Sequence, residues 1–302
     1  MSVEQSLPRQ PSGVIHDIGY RRYEGQRLGR GYAVRSLFVQ SLRNAFGLGR
    51  TAKSKVLPIA LLGVILLPAV VIDAVTILQG TGEQLIPYTR YIIFTQVIIA
   101  IFVAAQAPAL FSRDLRFRTV SLYFSRPLTR LDYVVAKFGA LTTALLILMT
   151  LPLLVLYGGG LLAKLPFGTQ TKNFLLAFAG ALIFSLILAG VGSVLASLTK
   201  RRGFGVAAII AALTVPYAAV TAIQGIAQEL SDTPGLASWA GLFSPTTLLD
   251  GVQVALLGAD SSSPIPPPAG FAGGAVFVLV ALVVIAGSFG LLLVRYRKVA
   301  AE

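Results

Sequence analysis

Six stretches of this chain are long and apolar enough to cross a lipid bilayer, which limits its fold more than any motif does. They cover residues 56–78, 91–111, about 138–157, 173–198, about 203–226 and 269–294. A hydrocarbon core about 30 Å thick takes roughly 20 residues of helix to cross. A backbone inside it must satisfy its own hydrogen bonds, so each stretch is predicted to be helical. The alternating ten-residue pattern of a membrane barrel is absent. Only 12% of the 302 residues are charged, against about 25% in soluble domains. The expectation is an all-α membrane protein.

The basic residues fix how the predicted spans alternate. The net charge is +13, and 22 of the 25 Lys and Arg residues fall in four places: before the first span, after the second, after the fourth and after the sixth. Arg90, Lys164 and Lys172 fall on the other side. The excess of cations near cytoplasmic span ends predicts six spans in the cell membrane, with both termini in the cytoplasm. It also explains the charge without nucleic acid as a partner. Two regions follow: a cytoplasmic N-terminal segment, 1–55, and a six-span domain, 56–302. The first 55 residues are polar and basic without an early apolar run, so no secretory signal is expected.

Two further elements are predicted. Within 31–50, Val34, Leu37, Phe38, Leu42 and Phe46 recur at steps of three and four, the pattern of an amphipathic helix lying in the membrane interface. Between the fifth and sixth spans, 236–258 is too apolar for a free loop and too interrupted to cross. Two short helices divided near Ser244 and Pro245, dipping back against the bundle, fit it. The run 261–268, SSSPIPPP, reads as a stiff linker.

Much chemistry is excluded. There is no cysteine, and His16 is the single histidine, so thiolate sites and multi-histidine metal sites are ruled out within this chain. Of twelve carboxylates only Asp73 falls inside a span, where it reads as a helix-end group near the interface. No carboxylate pair, H-E-x-x-H or G-x-S-x-G is present. The run 47–54, GLGRTAKS, approaches a phosphate loop, but Ala52 stands where the second glycine belongs, and a span follows it. The chain shows neither a nucleotide site nor an ion-coupling relay. Any transport it performs takes its energy from another polypeptide.

The segment 113–137, RDLRFRTVSLYFSRPLTRLDYVVAK, holds six basic and two acidic residues between apolar runs. Leu115, Leu122 and Tyr123 fall at i, i+7 and i+8, with Phe117, Val120 and Phe124 nearby; Arg113, Asp114, Arg116 and Arg118 supply charge. Ser125, Arg126 and Pro127 break the pattern, and Asp132 begins the next helix. Such a segment suits a docking element held at the membrane surface. A snorkelling loop that only sets topology fits equally well.

The positions Asp114, Ser125, Arg126, Pro127, Arg130, Tyr133, Val134 and Lys137 resemble the loop after the second span in permease subunits of type-2 ABC transporters, most of them exporters. The run LFSPTTLL, 242–249, resembles the family's segment between the fifth and sixth spans. The resemblance implies a dimer of permeases, identical or paralogous, worked by two cytoplasmic ABC ATPase subunits. ATP and Mg²⁺ would be bound on those partners, leaving this chain without a cofactor. The coupling contacts would fall on Arg113, Asp114, Leu115, Arg116, Phe117 and Arg118, with Ser125, Arg126, Pro127 and Arg130. The second and fifth spans would line the path, making Gln96, Gln106, Tyr217 and Gln224 candidates. Each of these also suits an interhelical hydrogen bond. The alternatives are a secondary transporter or channel, or a membrane enzyme acting on lipid-linked substrates.

Overall fold

The computed structural model describes residues 25, 28–80, 83–117, 123, 128–199, 201–230 and 235–299. Among them there is no strand. The elements are α1 (Arg30–Ala45), α2 (Ala52–Gln79), α3 (Tyr88–Phe94), α4 (Gln96–Leu110), α5 (Ser112–Arg116), α6 (Arg130–Leu162), α7 (Phe167–Leu198) and α8 (Arg202–Leu230). A 3₁₀ helix (Gly235–Phe243), α9 (Pro245–Leu257) and α10 (Phe271–Val299) complete them. Six helices are long and apolar enough to span: α2, α4 continued through α5, α6, α7, α8 and α10. The six predicted spans are therefore all present.

α6 and α7 form the centre. α6 packs against α1, α2, α4, α7 and α10, and α7 against α4, α9 and α10 as well. The start of α6 is set by its sequence. Thr129 accepts from the Asp132 backbone N–H, while the Asp132 carboxylate accepts from the Thr129 N–H, so two orphan donors of the first turn are satisfied together. Arg30 adds a clamp, donating from Nε and a terminal nitrogen to the two Asp132 oxygens at 2.7 and 2.8 Å. This joins the first residue of α1 to the first turn of α6. The Asp132 hydrogen bond raises the pKa of the Arg30 guanidinium.

Three features differ from the sequence-based expectations. The second span is broken at Thr95, whose hydroxyl donates back to the Tyr91 carbonyl at 3.0 Å. This back-bonding competes with the helical ladder and bends helices. Before the break, the Tyr91 hydroxyl donates to the Ile65 carbonyl of α2. Second, Asp73 is packed inside the bundle rather than free at its helix end. It is 7% exposed, and its carboxyl lies against Gly159 of α6, where an added Cβ would stand 2.0 Å from Asp73 Cγ. Only glycine admits this approach. Third, the serines before the last span do more than extend it. Asp250 of α9, almost fully buried, accepts from the hydroxyls of Ser261 and Ser263 at 2.7 and 2.8 Å and from the Ser262 N–H at 2.8 Å. They strap the linker to α9.

The division expected at Ser244 and Pro245 is present. The 3₁₀ helix and α9 meet there at 114°, with Pro245 in the first turn of α9. Gly251 of α9 lets the Phe277 ring of α10 lie against its backbone, 2.0 Å from where a Cβ would stand.

Replacing Gly159 with Ala is expected to lower stability by about 1–3 kcal/mol through overpacking, read as a drop in thermal-unfolding midpoint in detergent. The double variant Gly159→Ala, Asp73→Ala should recover most of that loss, because the carboxyl met by the new methyl is gone.

Candidate functional site

The basic segment after the second span begins with one short helix whose two sides differ. On the inner side of α5, Ser112 is buried and donates to the Ala196 carbonyl of α7 at 2.6 Å. Leu115 packs on the main core. On the outer side, Arg113, Arg116 and Phe117 are exposed. Phe117 is 63% exposed and carries the Arg116 guanidinium 5.6 Å from its ring centre. An apolar ring of this size left uncovered, backed by two cations, is a contact surface in its composition.

Asp114 points inward to the group that anchors the segment. Lys137 of α6, 4% exposed, pairs with the Asp114 carboxylate and donates also to the Leu110 carbonyl at the end of α4. Tyr133, one turn earlier on α6, donates to Asp114 at 2.9 Å. Its ring lies 4.9 Å from Lys137 Nζ and 4.9 Å from the ring of Tyr296 on α10. Tyr123 stands 5.6 Å from Tyr133 on the other side. Four elements, α4, α5, α6 and α10, thus meet at one buried ion pair. The geometry accounts for the sequence pattern: Asp114 and Lys137 need each other, and Tyr133 is one turn from Lys137 on the same face. The sequence pattern contains Tyr133 and Lys137 but assigns neither a role; their four-residue spacing is the signal it offers.

Around this knot the surface is strongly basic. Arg50, between α1 and α2, is half-buried. Burial, then the guanidiniums of Arg113 and Arg202, push its pKa below the ordinary value. Arg130 is exposed at the start of α6. Arg118, Ser125, Arg126 and Pro127 lie outside the described residues, as do Val120, Leu122 and Phe124. Among the described residues no cluster of acidic or histidine side chains could hold a metal ion.

The four candidate path residues separate into two groups. Gln106 is buried in α4. Gln224 is buried too and donates to the Ala237 carbonyl of the 3₁₀ helix at 3.4 Å, an interhelical role. Gln96 and Tyr217 come together. Both line a cavity of about 350 Å³ with Arg90, Ile93, Phe94 and Ser262. Both also line a second, of about 220 Å³, with Phe184, Leu188, Leu213 and Thr246. The two cavities adjoin at this pair of side chains, between α3–α4 and α8, toward the end of the bundle opposite the basic surface.

Six apolar helices around a tightly packed centre, with a charged element anchored at one end, define a multi-pass membrane protein. The family model described as ABC-2 family transporter protein matches residues 41–292, and the chain belongs to that family, as a permease subunit of a membrane transporter. No curated protein matches the chain.

Replacing Lys137 with Met strands the Asp114 carboxylate. Breaking one side of a buried pair costs about 3–5 kcal/mol, so the unfolding midpoint should fall sharply. The double variant Lys137→Met, Asp114→Asn should be clearly more stable than Lys137→Met alone. Unfolding in detergent, followed by size-exclusion chromatography, measures both.

Proposed function

We propose that this chain is the membrane-spanning half of an ATP-driven exporter and that α5, with the loop after it, is the handle by which a separate cytoplasmic ABC ATPase moves it. The observation that carries the reading is the division of α5. One side is tied into the bundle through Ser112, Asp114 and Leu115, while Arg113, Arg116 and Phe117 are exposed. A handle needs both: a grip for the partner and a rigid join to the parts that move. The distribution of basic residues supports placing this end, and both termini, in the cytoplasm. Arg118, Ser125, Arg126, Pro127 and Arg130 extend the proposed surface. ATP and Mg²⁺ belong to the partner chain on this reading.

α8 and α10 leave most of their apolar surface uncovered, with only 17% of each span buried. A second permease, identical or paralogous, would cover part of that surface, and the cleft at Gln96 and Tyr217 beside α8 would open toward it. Closure of two ATPases on ATP would draw the α5 handles together. The Asp114–Lys137 pair would pass the movement to α4, α6 and α10, turning the cleft from one side of the membrane to the other. α1 would lie along the cytoplasmic interface, and the bent pair around Ser244 would form the outer rim.

The variant Arg113→Glu, Arg116→Glu is expected to weaken recovery of the ATPase from detergent extracts by tenfold or more, the scale of losing contact anchors. The amount of permease inserted should not change. The double variant Arg35→Glu, Arg43→Glu, at two exposed positions of α1, serves as the charge-matched control. Undiminished association and transport by the double variant would sink the docking role. Transport by the purified chain in vesicles without any ATPase would sink the ATP-driven reading and favour a secondary transporter.

A further inference from the structure

The cleft shared by Gln96 and Tyr217 has an ordered polarity. At its mouth stands Arg90, exposed, and making no hydrogen bond or ion pair with any described residue. Arg90 is also one of only three cations on that side of the chain. Ser262, on the serine strap, lines the same cavity. Six residues further along the chain, about 9 Å of helix rise, come Gln96 and, across from it, Tyr217. Beyond them the second cavity is lined mainly by apolar side chains, Phe184, Leu188 and Leu213 among them, with Thr214 and Thr246. No carboxylate lines either cavity. A guanidinium left without a partner beside an apolar wall is suited to a planar or tetrahedral oxyanion. The uncharged amide and phenol behind it suit a neutral polar linkage.

We infer that this cleft binds a membrane-soluble amphiphile carrying an anionic head group, phosphate or carboxylate, with the head at Arg90, a polar linkage at Gln96 and Tyr217, and the apolar body against Phe184, Leu188 and Leu213. The order fits a molecule standing in the outer half of the bilayer, head toward water. The volume at the mouth, about 350 Å³, falls within the range of small-ligand pockets and takes a head group with several further heavy atoms. A zwitterionic head would bring its own cation beside Arg90, and a fully apolar solute would leave the amide and phenol unpaired. The inference deepens the transport reading by naming a substrate class for the cleft, and its test does not depend on the ATPase.

The test uses the full chain in nanodiscs of zwitterionic phosphatidylcholine, without ATPase or nucleotide. Two probes share one twelve-carbon chain: dodecyl phosphate and dodecylphosphocholine. Each displaces a fluorescent dodecyl phosphate analogue. The native chain is expected to bind the anionic probe about tenfold more tightly than the zwitterionic one, the worth of one charge-assisted contact at a partly wetted site. Arg90→Gln should abolish that preference and Arg90→Lys should keep most of it. Arg90 is exposed and pairs with no described residue, so neither change disturbs the packing described. Equal binding of the two probes by the native chain would overturn the inference, as would a preference that persists in Arg90→Gln. Displacement by inorganic phosphate at the same concentration as dodecyl phosphate would also overturn it, because the site would then take a small anion. Failure here leaves the ATPase-association result untouched, and failure of that association leaves this binding result untouched.

Discussion

A lysine ammonium buried within a helical bundle holds the basic end of this protein together. Removing such a charge from water is expensive unless it is paired and its remaining protons are satisfied. Lys137 meets both conditions: the Asp114 carboxylate takes the charge, the Leu110 carbonyl takes another proton, and the Tyr133 ring lies over it. Each acceptor comes from a different part of the chain. Satisfying one charge therefore fixes the end of α4, the first turns of α5 and the second turn of α6 in a single arrangement. An apolar side chain at 137 would fill the space but would not specify which three segments meet.

The same logic recurs with lesser stakes. Arg30 and Asp132 bring the start of α1 to the start of α6. Asp250 gathers three serines and fixes the linker before α10. In each case a carboxylate at a helix organises a segment that apolar packing alone would leave free, since a membrane offers little hydrophobic drive between one apolar surface and another. Twelve carboxylates in 302 residues is a small number, and at least three of them serve as fasteners of this kind.

The spans were legible because their signal is composition over about twenty residues, which no local rearrangement erases. The start of α6 was legible through Asp132, and the corner before α9 through Pro245, because capping and proline act within one turn. The break at Thr95 was not, since a hydroxyl bonding its own helix leaves an apolar run looking continuous. The burial of Asp73 was not legible for a related reason: it depends on Gly159, 86 positions away, and nothing local to Asp73 shows that a glycine will face it. Arg30 was passed over as one cation among ten before the first span, although its partner lies 102 residues on. The cleft divided the four path candidates along the same line. Gln96 and Tyr217 meet and Gln224 does not, which only the packing of α4 on α8 decides.

α4 connects the two ends of the proposed mechanism. Its first residue, Gln96, lines the cleft, and its last, Leu110, gives its carbonyl to Lys137. Fifteen helical residues rise about 22 Å, and a helix packed on α6, α7 and α8 transmits a displacement better than it absorbs one. The break at Thr95 sits immediately before Gln96, so α4 can tilt there without carrying α3 along. A pull on α5 would then reach Gln96 while Arg90, on the far side of the break, kept its place. Gln96 sits next to the pivot, so the stroke would turn its amide relative to the cation rather than part them, and binding and release would follow from that change of orientation.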